Sequence, residues 1–504
     1  MGTFEKRLDQ YIDARMPILY IDTLEDDIAE EIITSIAKRK RRSLLKWSLK
    51  EFHGENVGDV MPKQSLEDTF SILLADEANL QRKILIIKDA DYFLDKPEII
   101  SSLRYLAQKI NRGLLFDDGL DDFTIIITAP LVNIPQQLES YVTIMNMDYL
   151  DEQSIRELIE RFVKELEIKM PIDDLLYKLV MTLKGLSKTE IFSVLELAIS
   201  DDGELDYTDL PLIREQKQQM IKKSGILDMV QVKESLEDIG GLEILKKWLR
   251  RKAEIFKNVK IANDFGVATP KGVLIVGMPG CGKSLTAKAA AKTFDVPLLR
   301  LDMGRLMGKY VGESEANMRR AIYLTEASSP CVLWIDELEK AFAGIGSNSS
   351  GSEVTTRLFG NFLTWMQEKK SLAFVVATAN DITKLPPELL RKGRFDEIFY
   401  VDLPNDKERE KIFEIHISKK RKTDLKNIDM RKIVEKTKGY CGADIESVVY
   451  DSLEDAFVKK KDCLSTEDIL NAINNTHSIS ETMKDSLERM AKNYKERKFK
   501  SASI

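Results

Sequence analysis

The chain has 504 residues, more than a single hydrophobic core supports, which indicates several compact domains. Its 76 basic and 83 acidic residues give a net charge of -7, so no overall positive field favours nucleic acid or an anionic membrane. Its apolar runs fall short of the ~20 residues that a membrane-spanning helix needs, and four scattered cysteines with three histidines disfavour a disulfide framework or structural zinc. A reducing cytosol is therefore the expected compartment.

Short apolar runs alternate with helical stretches in the first half of the chain. The runs PILYIDT, RKILIIKDAD and FTIIITAP occupy residues 17–23, 82–91 and 123–130. Nearly continuous apolar strands separated by helices are typical of a parallel sheet with both faces covered. The sequence therefore predicts an α/β fold.

The second half repeats this pattern, in the same order and with similar spacing. GVLIVGM, SPCVLWIDEL and AFVVATAN occupy residues 272–278, 329–338 and 373–380. We therefore predict two tandem modules, each a parallel β-sheet with flanking helices followed by a small helical lid. The predicted domains are an α/β domain at 1–148, a helical domain at 149–230, a second α/β domain at 231–403, a second helical domain at 404–478 and a charged, solvated tail at 479–504.

Residues 277–284, GMPGCGKS, match the phosphate-loop pattern G-x-x-x-x-G-K-[ST] between an apolar strand and a helix-like stretch. Glycines in such a loop let backbone N–H groups close around phosphate oxygens. We expect Lys283 to contact the β and γ phosphates and Ser284 to bind Mg²⁺ through its hydroxyl. The motif predicts a nucleoside-triphosphate site whose phosphate-binding residues are Gly277, Pro279, Gly280, Cys281, Gly282, Lys283, Ser284 and Leu285.

The first module lacks these groups. Asp22 takes the place of Gly277, and the following residues TLEDD offer carboxylates where phosphate requires amides and a lysine. Carboxylates repel phosphate. We therefore predict that the first module is degenerate and that each chain binds one nucleotide.

Two carboxylates, Asp336 and Glu337, follow the buried run 331–335 of the second module. Beside a phosphate loop, we expect Asp336 to hold Mg²⁺ through water and Glu337 to polarise the attacking water; a solvated strand end is the alternative. Asn380 follows the next apolar run, where it could bond the γ-phosphate or the attacking water. An ordinary turn residue is the alternative for Asn380.

The segment LPPELLRKGRFDEIF carries two arginines, Arg391 and Arg394, beside a glycine. Guanidinium groups suit the charge that develops during phosphoryl transfer, and an arginine from a neighbouring subunit is worth a ~10³–10⁵ rate factor. The alternative is a surface salt-bridge pair.

These motifs make residues 235–475 similar to the AAA family of ATPases. The similarity rests on SLEDIGGLEILK, the phosphate loop, KYVGESEANMR, WIDELEKAF, ATAN, PPELLRKGRFDE, EREKIFEIHI and GYCGADIESVV, in the order of the family. Over its whole length the chain resembles a group of bacterial, cyanobacterial and plastid AAA proteins with an inactive first half. The resemblance implies a hexameric ring with ATP at each interface, where Arg391 and Arg394 would reach the neighbouring site.

The resemblance also implies which residues contact the adenine base and the ribose of the nucleotide. The residues it implies are Asp238, Ile239 and Gly240 around the adenine, His416 near the ribose and base, and Gly442 with Ala443 at the lid contact. Without the resemblance, His416 would be taken as an ordinary partly buried histidine.

Lys309, Tyr310 and Val311 match the loop that faces the central pore in this family, where an aromatic side chain grips an extended polypeptide. Gly308 and Gly312 flank these residues and favour a mobile loop. Local packing of Tyr310 is the alternative.

The sequence therefore predicts a Mg²⁺-dependent ATPase, cytoplasmic or in the plastid stroma, that hydrolyses ATP to ADP and phosphate. We expect a homohexamer that remodels or unfolds a protein substrate, with the degenerate half as an adaptor or scaffold and no membrane partner. The alternative is a nucleotide-controlled switch or assembly factor that threads nothing. A nucleic-acid translocase is a third possibility, which the acidic charge and the lack of a basic, aromatic stripe disfavour.

Overall fold

A computed structural model provides the structure of the chain. It describes residues 3–23, 25–48, 52–54, 65–75, 77–88, 90, 93–113, 123–129, 134–147, 150–200, 203–223, 225–306, 313–341, 351–482, 484–497 and 499–504. The chain forms two compact units, Met1–Ile213 and Arg214–Ile504. Across the described ranges, every helix is too short or too polar to cross a membrane.

A mostly parallel sheet forms the centre of the first unit. Its strands are β1 (Ile18–Asp22), β2 (Ser43–Trp47), β3 (Phe52–Gly54), β4 (Lys83–Lys88), β5 (Thr124–Ala129) and β6 (Val142–Asn146). Over the described residues their order is β3-β2-β4-β5-β1-β6, and only β2 and β3 run antiparallel. The central strands β4 and β5 are buried along nearly their whole length, as expected for a sheet covered on both faces.

Helices surround this sheet and then form a separate bundle. The helices beside the sheet are α1 (Thr3–Asp13), α2 (Asp26–Lys40), α3 (Leu66–Ala75) and α4 (Pro97–Arg112). The bundle consists of α5 (Glu152–Glu165), α6 (Asp173–Leu183), α7 (Lys188–Ala198) and α8 (Asp209–Lys223), the last of which continues into the second unit. This sheet followed by a helical bundle is the predicted module.

The second unit contains a larger sheet of the same kind. Its strands are β7 (Leu227–Val230), β8 (Gly272–Gly277), β9 (Leu298–Leu301), β10 (Cys331–Ile335), β11 (Ala373–Ala379), β12 (Glu397–Val401) and β13 (Lys500–Ser501). Over the described residues the order is β13-β12-β8-β11-β10-β9-β7, and only β7 and β9 run antiparallel. Strands β8, β10 and β11 are buried throughout and form the centre of the sheet.

The helices of the second unit cover this sheet and form the lid. Those before the lid are α9 (Glu243–Lys257), α10 (Val259–Asp264), α11 (Lys283–Phe294), α12 (Met303–Leu306), α13 (Glu313–Ala327), α14 (Leu338–Ala341) and α15 (Gly351–Glu368). The lid helices are α16 (Asp406–Arg421), α17 (Met430–Lys436), α18 (Gly442–Val458) and α19 (Thr466–Asn475), and α20 (Ile479–Thr482) and α21 (Lys484–Glu496) follow. The lid has its own apolar core, which includes Phe413, Val448 and Ile469.

Two segments differ from the predicted organisation. Strand β7, which the sequence analysis assigned to the first helical domain, pairs with β9 at the edge of the second sheet. The prediction of a solvated tail was wrong, because β13 pairs with β12 and Ala502 is fully buried. The acidic and basic side chains of the tail indicated a solvated helix, but its sparse apolar residues pack on the second unit.

The parallel pairing decides where the site lies. Strand β8 pairs with β11, and β11 pairs with β10, so these strands end at one edge of the sheet. Gly277, Ile335 and Ala379 are their last residues. Because ligands in open α/β sheets bind outside the carboxyl ends of the strands, the predicted catalytic residues must converge there.

Candidate nucleotide site

The phosphate loop connects the buried strand β8 to helix α11. Gly277 has φ of 143°, and a Cβ at this position would lie 2.0 Å from the carbonyl oxygen of Val401. Gly282 has φ of 84° and immediately precedes the first turn of α11. The two glycines therefore permit a turn that aims the unpaired N–H groups of the helix toward the loop, the arrangement that favours a bound phosphate.

Lys283 lies deep in this loop, with 7% of its surface exposed. Its Nζ donates to the carbonyl oxygens of Gly277 at 3.0 Å and Met278 at 2.6 Å. Burial lowers the pKa of Lys283, since the charged form has lost most of its water. The ammonium group is thus held at the loop by two neutral acceptors, which an anionic phosphate would outcompete.

Cys281 lies in the same loop, and its Sγ is 3.5 Å from the carbonyl oxygen of Pro279. Burial raises the pKa of its thiol to about 12, so the group stays protonated at neutral pH. Since the thiolate is the nucleophilic form of cysteine, this protonated thiol is unreactive.

Asp336 directly follows β10 and faces the start of α11. Ser284 Oγ donates to its two carboxylate oxygens at 3.1 and 3.3 Å, and Thr378 Oγ1 donates to its Oδ1. A carboxylate and a hydroxyl are oxygen ligands of the kind that Mg²⁺ prefers, and the ion commonly takes its remaining ligands from water and phosphates. The pair therefore fits a Mg²⁺ ion.

Glu337 has a strained backbone, with φ of 50° in a residue that is not glycine. Its N–H donates to Thr378 Oγ1 at 3.1 Å, which fixes the turn after β10. Its carboxylate is 2.5 Å from the Nζ of Lys340 in a partly exposed ion pair. Glu337 also lines the cavity described below.

Asn380 follows β11 and is held by a carboxylate. Its backbone N–H and its side-chain Nδ2 both donate to Oε1 of Glu339 at 3.0 Å. Glu339 is 6% exposed, and its Oε2 has no hydrogen-bond partner. This interaction orients the Asn380 amide, and the second N–H of Nδ2 is left for another acceptor.

A second group of predicted residues precedes α9. Although burial raises the pKa of Asp238, hydrogen bonds from Lys419 and Ser235 outweigh that effect and lower it to about 2. Lys419 Nζ is 2.9 Å from Asp238 Oδ1, and it lies on the lid helix α16. The buried Lys246 donates to the carbonyl oxygen of Ile239 at 2.6 Å. These contacts fix the position of the segment that the family resemblance assigns to adenine.

The lid closes over this segment and the phosphate loop. A Cβ on Gly240 would lie 2.4 Å from Cγ1 of Ile412, so only glycine allows the observed approach of α16. The N–H of Ala443 donates to the carbonyl oxygen of Gly280 at 3.1 Å. Burial lowers the pKa of His416, whose Nδ1 is 3.7 Å from a carboxylate of Glu446. The imidazole is therefore neutral at pH 7.

These elements enclose a cavity of about 530 Å³. That volume is in the usual range for a small-molecule site. The predicted residues that line it are Asp238, Ile239, Gly240, Pro279, Gly280, Cys281, Gly282, Lys283, Ser284, Leu285, Asp336, Glu337, Asn380, His416, Gly442 and Ala443. Gly277, the first residue of the loop and the last of β8, does not line the cavity. The pore-loop residues Lys309, Tyr310 and Val311 lie outside the described residues.

The two predicted arginines do not line the cavity of their own chain. The Arg391 side chain is 69% exposed, and Nη2 is 3.9 Å from Glu388. Arg394 donates through Nη1 to the carbonyl oxygen of Glu388, and its Nε is buried without a partner. Arg391 is thus free to extend outward, whereas Arg394 folds back on its own segment.

In the first unit, the degenerate loop is hydrogen-bonded to the helix that corresponds to lid helix α18. GLSKTE at 185–190 corresponds to GYCGAD at 439–444, so the start of α7 corresponds to the start of α18. The N–H of Lys188 at this start donates to a carboxylate oxygen of Glu25 at 2.6 Å, and its Nζ contacts Glu31 at 2.8 Å. Burial raises the pKa of Glu25. The degenerate loop therefore offers a carboxylate of its own to the lid-like helix.

Sequence reasoning missed several supporting residues. Glu339, Thr378, Lys246 and Lys419 hold the predicted site residues in place. Thr378 could have been found, because it is the one hydroxyl in the apolar run AFVVATA. Glu339 could also have been found, because it is the third acidic residue of WIDELEK, two positions after Glu337. Lys419 gives no local signal, because its partner Asp238 is distant in sequence. Lys246 gives none, because its acceptor is a backbone carbonyl oxygen, that of Ile239.

Sequence profiles of known families match most of the chain. "SpoVK-like AAA ATPase, N-terminal domain" covers residues 4–147, and its "second domain" covers 153–224. "ATPase family associated with various cellular activities (AAA)" covers 273–403, and "AAA+ lid domain" covers 427–471. "Uncharacterized AAA domain-containing protein ycf46" of Guillardia theta is 37% identical over 97% of this chain and 94% of its own length. The chain belongs to the AAA ATPase family.

Other AAA relatives match over different extents. The ycf46 protein of Pyropia yezoensis is 37% identical over 96% of both chains. The "Proteasome-activating nucleotidase" of Thermococcus onnurineus is 33% identical over 47% of this chain and 60% of its own length. The full-length relatives therefore share both AAA-like modules, and the nucleotidase shares about half of this chain.

Proposed function

We propose that this chain is a Mg²⁺-dependent ATPase, hydrolysing ATP to ADP and phosphate, that assembles into a homohexameric ring and remodels a protein substrate. The observation that carries the proposal is the convergence of Lys283, Asp336 and Glu337 on one cavity at the carboxyl edge of the sheet. A phosphate-binding cation, a metal-binding carboxylate and a second carboxylate that can orient water are the groups that hydrolysis of a phosphoanhydride requires. The first module contributes a scaffold.

Each residue has a separate task in this reaction. The loop amides and Lys283 bind the phosphates, and Lys283 exchanges the carbonyl oxygens of Gly277 and Met278 for phosphate oxygens. Ser284 and Asp336 would hold Mg²⁺, which neutralises phosphate charge when bound. Glu337 orients and polarises the water, and Asn380 donates to the γ-phosphate or accepts from that water.

The exposed arginine supports a ring. Arg391 does not line the cavity of its own chain, and its ion pair with Glu388 is long and solvated, so little energy holds the side chain there. An arginine finger supplied by the neighbouring subunit needs such a residue. Head-to-tail contacts of this kind close into rings when the rotation between subunits allows it.

Mixing of inactive subunits tests this arrangement. Arg391→Ala and Glu337→Gln subunits are each expected to be inactive alone, and a 1:1 mixture should recover about a quarter of the wild-type rate. The reason is statistical: about one interface in four joins an intact Glu337 to an intact Arg391. Hydrolysis of ATP is measured after the rings have exchanged subunits.

The control mixture combines Lys283→Met with Glu337→Gln subunits. Both substitutions damage the same site of their own chain, so this mixture should stay inactive. Recovery in the control, or no recovery with Arg391→Ala, would contradict an arginine that acts across the interface.

The relation to proteasome-activating nucleotidases supports a protein as the substrate, since a proteasome acts on proteins. We propose that Tyr310 grips this protein in the pore. Tyr310→Ala should stop the unfolding of a fluorescent protein that carries an unstructured extension, while ATP hydrolysis stays within about twofold of wild type. Fluorescence loss and phosphate release are measured in the same reaction.

Tyr310→Phe is the matched variant, because it keeps the aromatic ring and should keep unfolding. If Tyr310→Ala unfolds the substrate normally, the chain does not thread protein through this loop. A nucleotide-controlled switch that regulates a partner complex would then be the better description.

In either case we propose the cytoplasm or the plastid stroma as the compartment.

A further inference from the structure

We infer that Tyr494, in the C-terminal segment, is a positioning residue for ATP hydrolysis that acts through Asn380. The inference rests on the proposed function, since it concerns the same catalytic site. The observation behind the inference is a hydrogen bond of 2.7 Å, in which the Tyr494 hydroxyl donates to the backbone carbonyl oxygen of Asn380. Asn380 lines the nucleotide cavity, whereas Tyr494 is buried in the core and does not line it.

The C-terminal segment is anchored firmly enough to define this contact. Leu487 and Tyr494 of α21 are buried in the core of the second unit, where Tyr494 is only 2% exposed. The rings of Tyr494 and Tyr400 lie 4.4 Å apart at an interplanar angle of 30°. Aromatic pairs at such distances stabilise a defined orientation.

A short strand fixes the other end of the segment. Strand β13 pairs with β12, and the N–H of Ala502 donates to the carbonyl oxygen of Tyr400 at 2.8 Å. The carbonyl oxygen of Ala502 accepts from Ile244 at 3.1 Å and Leu245 at 3.2 Å. The last residues therefore join the sheet edge to the start of α9, and α21 cannot shift freely.

Asn380 is consequently held from two sides. Glu339 accepts from its backbone N–H and its side-chain amide, and Tyr494 donates to its carbonyl oxygen. Burial raises the pKa of Tyr494, so the hydroxyl remains a donor at neutral pH. The side chains of Glu339 and Tyr494 therefore fix the backbone N–H and carbonyl groups of Asn380, and Glu339 also fixes the orientation of its side-chain amide.

This fixation matters most in the transition state. A residue that contacts the γ-phosphate or the attacking water must be placed within a fraction of an ångström, because a shift of about 1 Å can reduce the rate ~10²-fold. Binding of the nucleotide depends mainly on the phosphate loop and the adenine segment, whereas the Tyr494 hydroxyl donates to Asn380. Loss of its hydroxyl should thus affect turnover and spare binding.

The test uses the full-length chain with Tyr494→Phe, which keeps the ring stack and removes only the hydroxyl. The expected result is a decrease in kcat of about tenfold with KM for ATP unchanged. Affinity for ADP with aluminium fluoride, which resembles the transition state, should decrease by a similar factor, while affinity for ADP alone stays constant.

Tyr440→Phe is the matched control. The Tyr440 hydroxyl is also buried and donates to a backbone carbonyl oxygen, that of Thr476, at 2.7 Å, but within the lid. Both variants should lose similar thermal stability, and only Tyr494→Phe should lose kcat. An equal loss of kcat in Tyr440→Phe would show that destabilisation explains the effect and would overturn the inference.

A double-variant cycle gives an independent readout. If Tyr494 acts through Asn380, then Asn380→Ala combined with Tyr494→Phe should be no slower than Asn380→Ala alone. Additive losses would contradict the inference, as would an unchanged kcat in Tyr494→Phe while the wild type hydrolyses ATP. Absence of hydrolysis by the wild-type ring would instead refute the proposed function, and this inference with it.

Discussion

Replacement of Glu337 by glutamine is expected to reduce ATP hydrolysis by about 10²- to 10³-fold while ATP still binds, because an amide cannot accept the proton of the attacking water. Glutamine preserves the size of the side chain and the strained turn, where the Glu337 N–H donates to Thr378 Oγ1. The phosphate loop and Asp336 are unchanged, so the nucleotide retains its main contacts. Phosphate release and equilibrium binding of a fluorescent ATP analogue measure the two effects.

The control is Glu368→Gln, which makes the same chemical change at an exposed glutamate at the end of α15. Its hydrolysis should equal that of the wild type. A Glu337→Gln variant that hydrolyses ATP normally would remove the proposed role of Glu337. A variant that no longer binds ATP would show that the substitution disturbs the loop, and the comparison would then need Glu337→Ala.

Much of this site could be predicted from the sequence, because its residues follow apolar runs of a parallel sheet. Asp336 and Glu337 follow β10 and Asn380 follows β11, and neighbouring parallel strands end at one edge. The phosphate loop follows β8 at the same edge. The local sequence pattern places these residues at strand ends, and the geometry of a parallel sheet brings the strand ends together. Their convergence could therefore be predicted without knowing any contact between distant residues.

The C-terminal segment could have been predicted in part. Leu487, Met490, Ala491 and Tyr494 recur at the spacing of one helical face, and they pack against the core of the second unit. The charged residues between them concealed this face. Strand β13 consists of Lys500 and Ser501, which carry no apolar pattern, so its pairing depends on backbone hydrogen bonds that no local signal records.

The polar contacts of the first unit could not be predicted from local sequence either. The sequence predicted carboxylates in place of the phosphate loop, and the structure adds that Glu25 bonds to the start of α7. Lys88 and Lys46 pair with Glu30 at 2.5 and 2.7 Å, which neutralises part of the acidic helix start. Residues this far apart in the chain meet only after the module has folded.

Replacement of Lys283 by methionine is expected to abolish ATP binding to the whole chain, with a loss of affinity of at least about 10²-fold. Lys283 provides the buried cation of the loop, and a charge-assisted contact to phosphate in a water-poor site cannot be replaced by solvent. Since Glu25 occupies the corresponding junction of the first unit, that module should not compensate. Isothermal titration should give one ATP per wild-type chain and none for the variant.

Melting temperatures distinguish a loss of ATP binding in Lys283→Met from unfolding of the variant. Methionine retains the bulk of the lysine stem and removes a charge whose pKa burial has lowered, so the melting temperature without nucleotide should stay close to that of the wild type. ATP should raise the melting temperature of the wild type only. The control variant Lys292→Met, on the exposed side of the same helix α11, should bind ATP as the wild type does. Two ATP per wild-type chain, or one retained in Lys283→Met, would mean that the first module binds nucleotide despite its carboxylates.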